Sequence, residues 1–366
     1  MIKCYVIGNG AAGSKCVASA VKLGAVRLED TAIVNSTSKD FPADYEGKKI
    51  ILSPENHGAG KERPVAKEFA KRAIAEGLFD FPSIEEYATV IIVTSVEGGT
   101  GSGSTPLLAN YFSKVHTRNV HIIAFAGFGD DVRGLANTVD FCKEIDPSIM
   151  VQMISNASFM ADANSNKLKA EELANAEMIQ RISVLTGQDF IEGSQNIDDT
   201  DILKLSNTAG YMNVEKLYLK KPLETREDYE KAIKKMLYNT HSVKPMRDPK
   251  RLGVILNITE ESKDAVDFSF ASIKEAFGIP YETFTQVQYD GNKEYIAFIA
   301  SGMKLPVDAI KETYDKYVEE SNRINKEHDE FLNQVKSMSL LEEDSNFDMI
   351  RGAKKSVSLD DFLSNN

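Results

Sequence analysis

The chain has 366 residues, enough for two domains that each have a core. Of these residues 27% are charged and 42% hydrophobic, which is ordinary for a soluble globular protein. Its net charge of −12 argues against non-specific nucleic-acid binding over the whole surface, because such binding needs positive charge. Three scattered cysteines, Cys4, Cys16 and Cys142, predict neither a zinc site nor a disulfide framework. No apolar stretch reaches the length of a membrane span, and we expect a cytoplasmic protein. We expect no metal ligands among its side chains.

The first predicted element is a short buried strand, Lys3–Ile7, which turns into a helix that continues to about Leu23. The turn, Gly8–Lys15, is rich in glycine and offers backbone N–H groups to an approaching phosphate. A tight turn that packs helix on strand explains the same glycines equally well. The next strand, Thr31–Val34, ends in polar residues 35–40, where an open α/β sheet commonly contacts a ligand.

A second polar loop, residues 56–63, lies between a short strand near Lys49–Leu52 and a helix that begins at Pro64. Its two glycines are flanked by cations, a pattern that suits contact with a terminal phosphate. The alternative is a solvated turn with a helix cap. His57 within this loop has no orienting partner in the sequence, and we expect a surface residue.

A third glycine-rich segment, Val96–Thr105, follows the apolar strand Thr89–Val93. It contains four glycines and four hydroxyl residues, and it precedes a helix expected to begin near Pro106. Many backbone N–H groups with little side-chain bulk at a helix N-terminus predict a phosphate cradle. The segment is not a Walker loop, because no Gly-Lys-Ser/Thr closes it, and it lacks the Gly-x-Gly-x-x-Gly spacing of dinucleotide folds.

Strands and helices alternate up to about residue 155, with further strands at Val120–Ala126 and Ser148–Ile154. This alternation predicts a doubly wound parallel sheet with right-handed crossovers. The glycine-rich and polar loops all follow carboxyl ends of strands. We therefore expect them to lie together along one edge of the sheet.

A long amphipathic helix, Leu168–Leu185, leads to the polar segment Gly193–Ile202, which contains three aspartates within four residues. These aspartates fit a metal loop, an acid-rich helix N-terminus or a catalytic loop. From Tyr211 onward, strands with helices between them predict a smaller α+β unit. A highly charged helix follows Pro306, and the polar tail from Leu341 is expected to stay disordered until a partner binds.

Two of these segments carry a family resemblance. Gly98–Gly103 resembles the G-G-T-G-S-G signature of the tubulin/FtsZ superfamily, and the spacing Gly193-x-x-Asn196-x-Asp198-x-x-Asp201 resembles its second signature. The resemblance implies an α/β fold with a doubly wound parallel-sheet GTPase domain, joined by a long central helix to a smaller α+β domain. The charged terminal helix and the Asp-Asp-Phe-Leu ending look most like those of plasmid and bacteriophage segregation tubulins (TubZ type), with FtsZ second.

The resemblance also implies a domain division. The expected segments are a nucleotide-binding domain (1–167), a central helix (168–187), a catalytic loop with its following helix (188–210), an activation-type domain (211–304), a long C-terminal helix (305–340) and a flexible tail (341–366).

The same resemblance implies that the chain binds GTP and GDP with Mg²⁺ and that it hydrolyses GTP. Asp198 and Asp201, with Asn196 in the same loop, would act on the nucleotide of a neighbouring subunit. Asn156 and Asn175 are candidates for the guanine edge, and Asp130 or Asp131 for the ribose; caps or surface roles explain Asn156 and the two aspartates equally well. The implied nucleotide contacts are Gly10, Ala11, Ala12, Gly13, Asn35, Gly58, Ala59, Gly60, Gly98, Gly99, Thr100, Gly101, Ser102, Gly103, Asp130, Asn156 and Asn175.

The partners implied are further copies of the chain in a head-to-tail polymer, and an adaptor on DNA recruited by the tail with its basic residues Arg351, Lys354 and Lys355. The implied role is plasmid or phage DNA segregation, with FtsZ-like cell division as the alternative. Two other classes stay open: a monomeric α/β dinucleotide-binding enzyme, for which Asp30 fits the expected acid only loosely, and a non-hydrolysing assembly regulator of tubulin fold.

Overall fold

The computed structural model describes residues 3–81, 84–238, 241–243 and 248–337. Its strands are β1 (Cys4–Asn9), β2 (Thr31–Asn35), β3 (Lys48–Ile51), β4 (Thr89–Ser95), β5 (Asn119–Ala126), β6 (Met150–Ser155), β7 (Gly210–Tyr218), β8 (Arg251–Asn257), β9 (Glu282–Gln288) and β10 (Tyr295–Met303). Its α-helices are α1 (Gly10–Lys22), α2 (Arg63–Ala75), α3 (Gly99–Asn110), α4 (Val132–Glu144), α5 (Lys167–Leu185), α6 (Asp199–Ser206), α7 (Arg226–Tyr238), α8 (Glu260–Lys263), α9 (Ala271–Phe277) and α10 (Val307–Ser337).

The described strands form one sheet in the order β3-β2-β1-β4-β5-β6-β7-β10-β8-β9. The pairs from β3 to β7 are parallel, as the alternation of strands and helices predicts. β10 is antiparallel to both β7 and β8, so the second half is mixed. The two halves meet where β6 pairs with β7, in the register Met150–Gly210 and Val151–Tyr211. The smaller α+β part therefore continues the first sheet, and the predicted fold class is confirmed.

Both faces of the sheet are covered, which explains why its central strands read as continuous apolar runs. In β4, Val90 and Ile92 belong to one core, and Ile91 and Val93 belong to the other. The core of Ile91 and Val93 also contains buried residues of α1 and α5, such as Val17 and Met178. Helix α5 thus packs along one face of the sheet and leads toward the acidic segment.

Helix α3 begins at Gly99, so the prediction that this helix starts near Pro106 is wrong. Sequence propensity disfavours glycine inside a helix, but close packing selects it here. A Cβ on Gly99 would lie 2.7 Å from the Cα atom of Lys61, and one on Gly103 would lie 2.7 Å from the carbonyl oxygen of Arg63. These glycines let α3 lie directly on the backbone that leads into α2.

The chain divides into two compact units, Met1–Asp315 and Lys316–Asn366, and the boundary lies within α10. In the second unit, Arg323 pairs with Glu320 and Glu327 along the solvated helix surface. The tail 341–366, with its predicted basic cluster and apolar ending, lies outside the described residues. Within the described ranges, no helix has both the length and the apolarity needed to cross a membrane.

Candidate functional site

Three glycine-rich turns line a cavity of about 320 Å³ at the edge of the sheet where β1, β2 and β4 end. This volume lies in the range of small-ligand sites, about 300–1,000 Å³. The lining residues are Asn9, Gly10, Ala11, Ala12, Asn35, Asp40, Gly58, Ala59, Gly60, Lys61, Ser95, Gly98, Gly99, Thr100 and Gly101. The loops expected to share one edge of the sheet therefore lie around one cavity.

In the turn from β1 into α1, one glycine lies at the cavity and another packs helix on strand. Gly10 has a φ of +78°, which glycine adopts without steric cost. A Cβ on Gly10 would also lie 3.0 Å from the amide nitrogen of Gly101, so the two glycine turns touch. A Cβ on Gly13 would overlap the carbonyl oxygen of Val93, and Gly13 therefore packs α1 against β4 and lies outside the cavity lining.

Asn9 joins the first turn to the cradle helix, a contact that sequence reasoning missed. Its fully buried amide donates hydrogen bonds to the hydroxyls of Ser104 and Thr105, both at 2.8 Å. The N-termini of α1 and α3, which both lie at the cavity, are therefore held in one fixed arrangement. The available signal was the position of Asn9 inside the glycine turn, directly at the end of a buried strand.

Within α3, the first turn faces the cavity and the second turn faces the protein. Ser102 donates its hydroxyl hydrogen bond to the carbonyl of Gly98, and Ser104 donates to that of Thr100 at 2.6 Å. Ser102 and Gly103 are buried and do not line the cavity, so their predicted phosphate contacts stay predictions. Residues 98–101 supply the accessible part of the cradle, and the N-terminal ends of two helices, which carry partial positive charge, lie at the cavity.

Replacing Gly101 by Ala should destabilise the cradle, because its Cβ would overlap the Thr94 hydroxyl and approach the Ser95 carbonyl oxygen to 3.0 Å. We expect the free energy of unfolding to fall by about 1–3 kcal/mol, the usual cost of overpacking. Gly98→Ala is the matched control, since a Cβ there meets no atom within 4 Å among the described residues. Equal unfolding midpoints for the two variants in urea would contradict this packing argument.

The loop before α2 brings Gly58, Ala59 and Gly60 to the cavity and adds a cation that the predicted site lacked. Lys61 lines the cavity and has a left-handed φ of +62°. Asp40 lines it as well and accepts a hydrogen bond from the amide of Asn35 at 3.3 Å. Lys61 and Asp40 were present in the polar loops singled out from the sequence, but propensity alone could not show which side chains face inward.

The predicted base-reading residues lie outside this cavity. Asn175, on α5, lines a neighbouring cavity of about 300 Å³ together with Lys15 and Ser19 of α1. Helix α1 therefore lines both cavities, the first with its N-terminal residues and the second with residues of its later turns. Asn156 begins a short 3-10 turn after β6, and within the described ranges its buried Oδ1 has no hydrogen-bond partner. Both base contacts stay predictions.

The two aspartates considered for the ribose have structural partners. Asp131 caps α4 by accepting a hydrogen bond from the amide of Gly134 at 2.7 Å, so the helix-cap explanation applies to it. Asp130 is exposed and pairs with Lys167, which holds the pKa of its carboxyl below the ordinary value. Neither lines the cavity. Over the described ranges, no group of three or more His, Cys, Asp or Glu side chains is arranged to hold a metal ion.

The acidic segment is built separately, against β9. Gly193 lies so close to the carbonyl of Val287 that a Cβ would overlap it. The Asn196 side chain closes the turn by accepting from the Gly193 amide at 2.9 Å and donating to its carbonyl oxygen at 3.1 Å. Gln286 of β9 donates to Asn196 at 3.2 Å and accepts from the amide of Ile197 at 2.7 Å.

Asp198 caps α6 by accepting a hydrogen bond from the amide of Asp201 at 2.8 Å, and Asp201 lies in the first helical turn. The explanation as an acid-rich helix N-terminus is therefore correct as a description of local structure. It leaves the catalytic prediction open. Asp198 is exposed and Asp201 half-buried, and neither lines the cavity.

The acidic loop and the cradle lie at opposite edges of the sheet. At the end of α6, the carbonyl oxygen of Ser206 accepts a hydrogen bond at 2.6 Å from Nε2 of His121, near the amino end of β5, whereas the cradle follows the carboxyl end of β4. A strand of seven residues such as β4 spans about 23 Å at about 3.3 Å per residue, more than an aspartate side chain can reach. The cradle and the acidic loop of one chain therefore occupy separate surfaces.

No family model matches the sequence. Among curated proteins, the chain is 24% identical over 229 residues to the tubulin-like protein CetZ1 of Haloferax volcanii, covering 57% of this chain and 56% of that protein. It is 25% identical over 211 residues to the cell division protein FtsZ 1 of Pyrococcus furiosus, covering 56% of each. The matched part thus spans little more than half the length of these relatives.

Solved structures match over more of the chain. Clostridium botulinum phage c-st TubZ aligns with a TM-score of 0.65 and 16% identity, over 88% of this chain and 98% of that one. Haloferax volcanii CetZ2 in a GTPγS-bound protofilament aligns with a TM-score of 0.71 and 16% identity, over 88% and 100%. The resemblance inferred from the two signature loops is thereby confirmed: this chain has the fold of the tubulin/FtsZ superfamily.

Proposed function

We propose that this protein is a filament-forming GTPase that hydrolyses GTP between head-to-tail subunits. The observation that carries the proposal is the separation of two half-sites. One is a glycine-lined cavity at the carboxyl ends of the strands, and the other is an acidic loop at the opposite edge of the sheet. The cavity lacks the acidic side chains, and the acidic loop lacks the phosphate cradle. A head-to-tail contact that does not close into a ring would join the two half-sites of neighbouring subunits in a filament.

In the cradle, backbone N–H groups of the turns at Gly10–Ala12 and Gly98–Gly101 would bind the α- and β-phosphates. Such preorganised donors stabilise developing negative charge without a catalytic lysine in the glycine loop. Residues 58–60 would contact the γ-phosphate. Asp201 of the next subunit, with Asp198 beside it, would polarise the attacking water. The GTPγS-bound protofilament of CetZ2 supports this arrangement by analogy of fold.

Mg²⁺ fits this cavity. It commonly binds through one or two protein oxygens together with phosphates, and the lining offers the carboxylate of Asp40 and the hydroxyl of Thr100. When bound, the ion would neutralise charge on the phosphate oxygens. The protein's own contribution would be to hold the phosphates against two helix N-termini.

GTPase activity per molecule should rise steeply with protein concentration, because a complete site exists only where two subunits meet. The measurement is phosphate release over a series of protein concentrations with GTP and magnesium, followed in parallel by light scattering. Activity and scattering are expected to rise together. Turnover per molecule that stays constant at all concentrations would show that the active site lies within one subunit.

The same assay separates the other classes. A monomeric dinucleotide-binding enzyme predicts no scattering with GTP, and it leaves the loop from Gly193 to Asp201 without a role. A non-hydrolysing assembly regulator predicts no phosphate release. For the cellular role we propose plasmid or phage DNA segregation, supported by the likeness to phage TubZ. Cell division is the second candidate, favoured by the sequence relative FtsZ 1.

A further inference from the structure

We propose that Lys61 is the side chain that distinguishes a nucleoside triphosphate from a diphosphate, that Asn137 positions it, and that Asp131 competes with the phosphate for its ammonium group. This inference rests on the proposed nucleotide site and adds its specificity-determining cation. Among the described residues that line the cavity, Lys61 is the one with a cationic side chain.

The backbone of Lys61 is clamped onto the cradle. Asn137, buried in α4, donates through its amide Nδ2 to the carbonyl oxygens of both Lys61 (3.1 Å) and Glu97 (3.0 Å). A Cβ on Gly99 would approach the Cα of Lys61 to 2.7 Å, so the loop lies directly on the N-terminus of α3. The Asn137 side chain thus ties the loop that contains Lys61 to Glu97, the residue before Gly98.

The position of Asn137 is itself fixed. The backbone carbonyl oxygen of Asn137 accepts a hydrogen bond from the guanidinium of Arg63 at 3.1 Å. Arg63 is itself buried and paired with Glu144. This network holds α2 and α4 together behind the cavity. The loop at Lys61 therefore rests on a rigid support. A precisely positioned contact to a ligand requires such support.

The ammonium group of Lys61 is paired with a carboxylate that lies outside the cavity lining. Its Nζ lies 2.7 Å from the carboxylate of Asp131, which holds the pKa of that carboxyl below its ordinary value. The Lys61 side chain is 55% exposed, so the ion pair can exchange for a stronger anion at little cost. The terminal phosphate of a triphosphate supplies such an anion beside the loop, whereas a diphosphate ends short of it.

The test is the ratio of affinities for GTP and GDP, measured by competition against a fluorescent GDP analogue with magnesium. Lys61→Gln should weaken GTP binding about tenfold or more, since it removes a charge-assisted hydrogen bond, and should change GDP binding less than about threefold. Lys61→Arg should retain most of the preference. Lys71→Gln is the matched control, because Lys71 is an equally exposed lysine in an ion pair on α2, outside the lining.

Asp131→Asn should change the affinity for GTP in the opposite direction. Asparagine keeps the helix cap but removes the competing charge, so GTP binding should tighten about threefold. Asp146→Asn is the control: it removes a carboxylate paired with another lysine, Lys114, outside the cavity lining, and should leave the GTP/GDP ratio unchanged. A purely structural role for the ion pair predicts weaker binding of both nucleotides in Asp131→Asn, which would overturn the inference.

Asn137→Ser tests the positioning step. It should reduce the GTP/GDP affinity ratio in the same direction as Lys61→Gln, and combining the two changes should add little. An unchanged ratio in Lys61→Gln, with wild-type protein binding both nucleotides, would refute the role of Lys61 and leave the proposed function intact. Failure of the wild-type protein to bind either nucleotide would instead refute the proposed function.

Discussion

Asp201→Ala should bind GTP as the unchanged protein does, hydrolyse it at least about 100-fold more slowly, and form filaments that persist after assembly. The reason is that Asp201 lies outside the cavity that would hold the nucleotide, so its loss removes no contact to GTP within the subunit. It removes the carboxylate that would act on the next subunit's nucleotide. The measurements are phosphate release, GTP affinity and the decay of light scattering.

Local helix stability is the main confounding effect, and the chain offers a control. Asp199 lies in the same first turn of α6, so Asp199→Asn removes an equivalent charge from the helix N-terminus, worth about 0.5 kcal/mol. Asp198→Asn keeps a capping side chain and removes only the charge. Turnover near the wild-type rate in Asp201→Ala, or an equal loss in Asp199→Asn, would remove Asp201 from the mechanism.

Arg181→Leu should lower the free energy of unfolding by about 3–5 kcal/mol, the largest stability effect we expect. Arg181 is 1% exposed on α5 and makes two hydrogen bonds, at 2.8 and 2.9 Å, to the carboxylate of Glu215 on β7. Burial opposes the charged form, but the carboxylates of Glu215 and Glu177 together hold the pKa of Arg181 above its ordinary value. Removing the guanidinium leaves a buried carboxylate without its cation.

Urea unfolding without nucleotide, followed by circular dichroism because the chain contains no tryptophan, measures this effect. Arg323→Leu is the matched control: its guanidinium is 56% exposed and pairs with two glutamates, so its loss should cost at most about 1 kcal/mol. Arg181→Met with Glu215→Gln should recover much of the loss, since no buried charge is then left uncompensated. Equal destabilisation by the single and double changes would contradict this account.

Much of the architecture is predictable from local patterns. The strand β4 and the helix α5 match their predicted ranges closely, because a run of β-branched residues and a long apolar periodicity are strong local signals. The start of α3 is not predictable in this way. Its glycines disfavour a helix locally, and close packing explains them: Gly99 and Gly103 lie against the backbone at Lys61 and Arg63, and Gly101 lies against the end of β4.

The sequence by itself determined the alternation of strands and helices, and with it the edge of the sheet at which the glycine turns meet. Spacing of residues along the chain is sufficient for that, since parallel strands place their carboxyl ends together. The tertiary structure alone decided which side chains face the cavity, placing Lys61 and Asp40 in its lining and Ser102 and Gly103 behind it. It also decided that the acidic loop is anchored on β9, because pairing between distant strands depends on long-range contacts that no local pattern records.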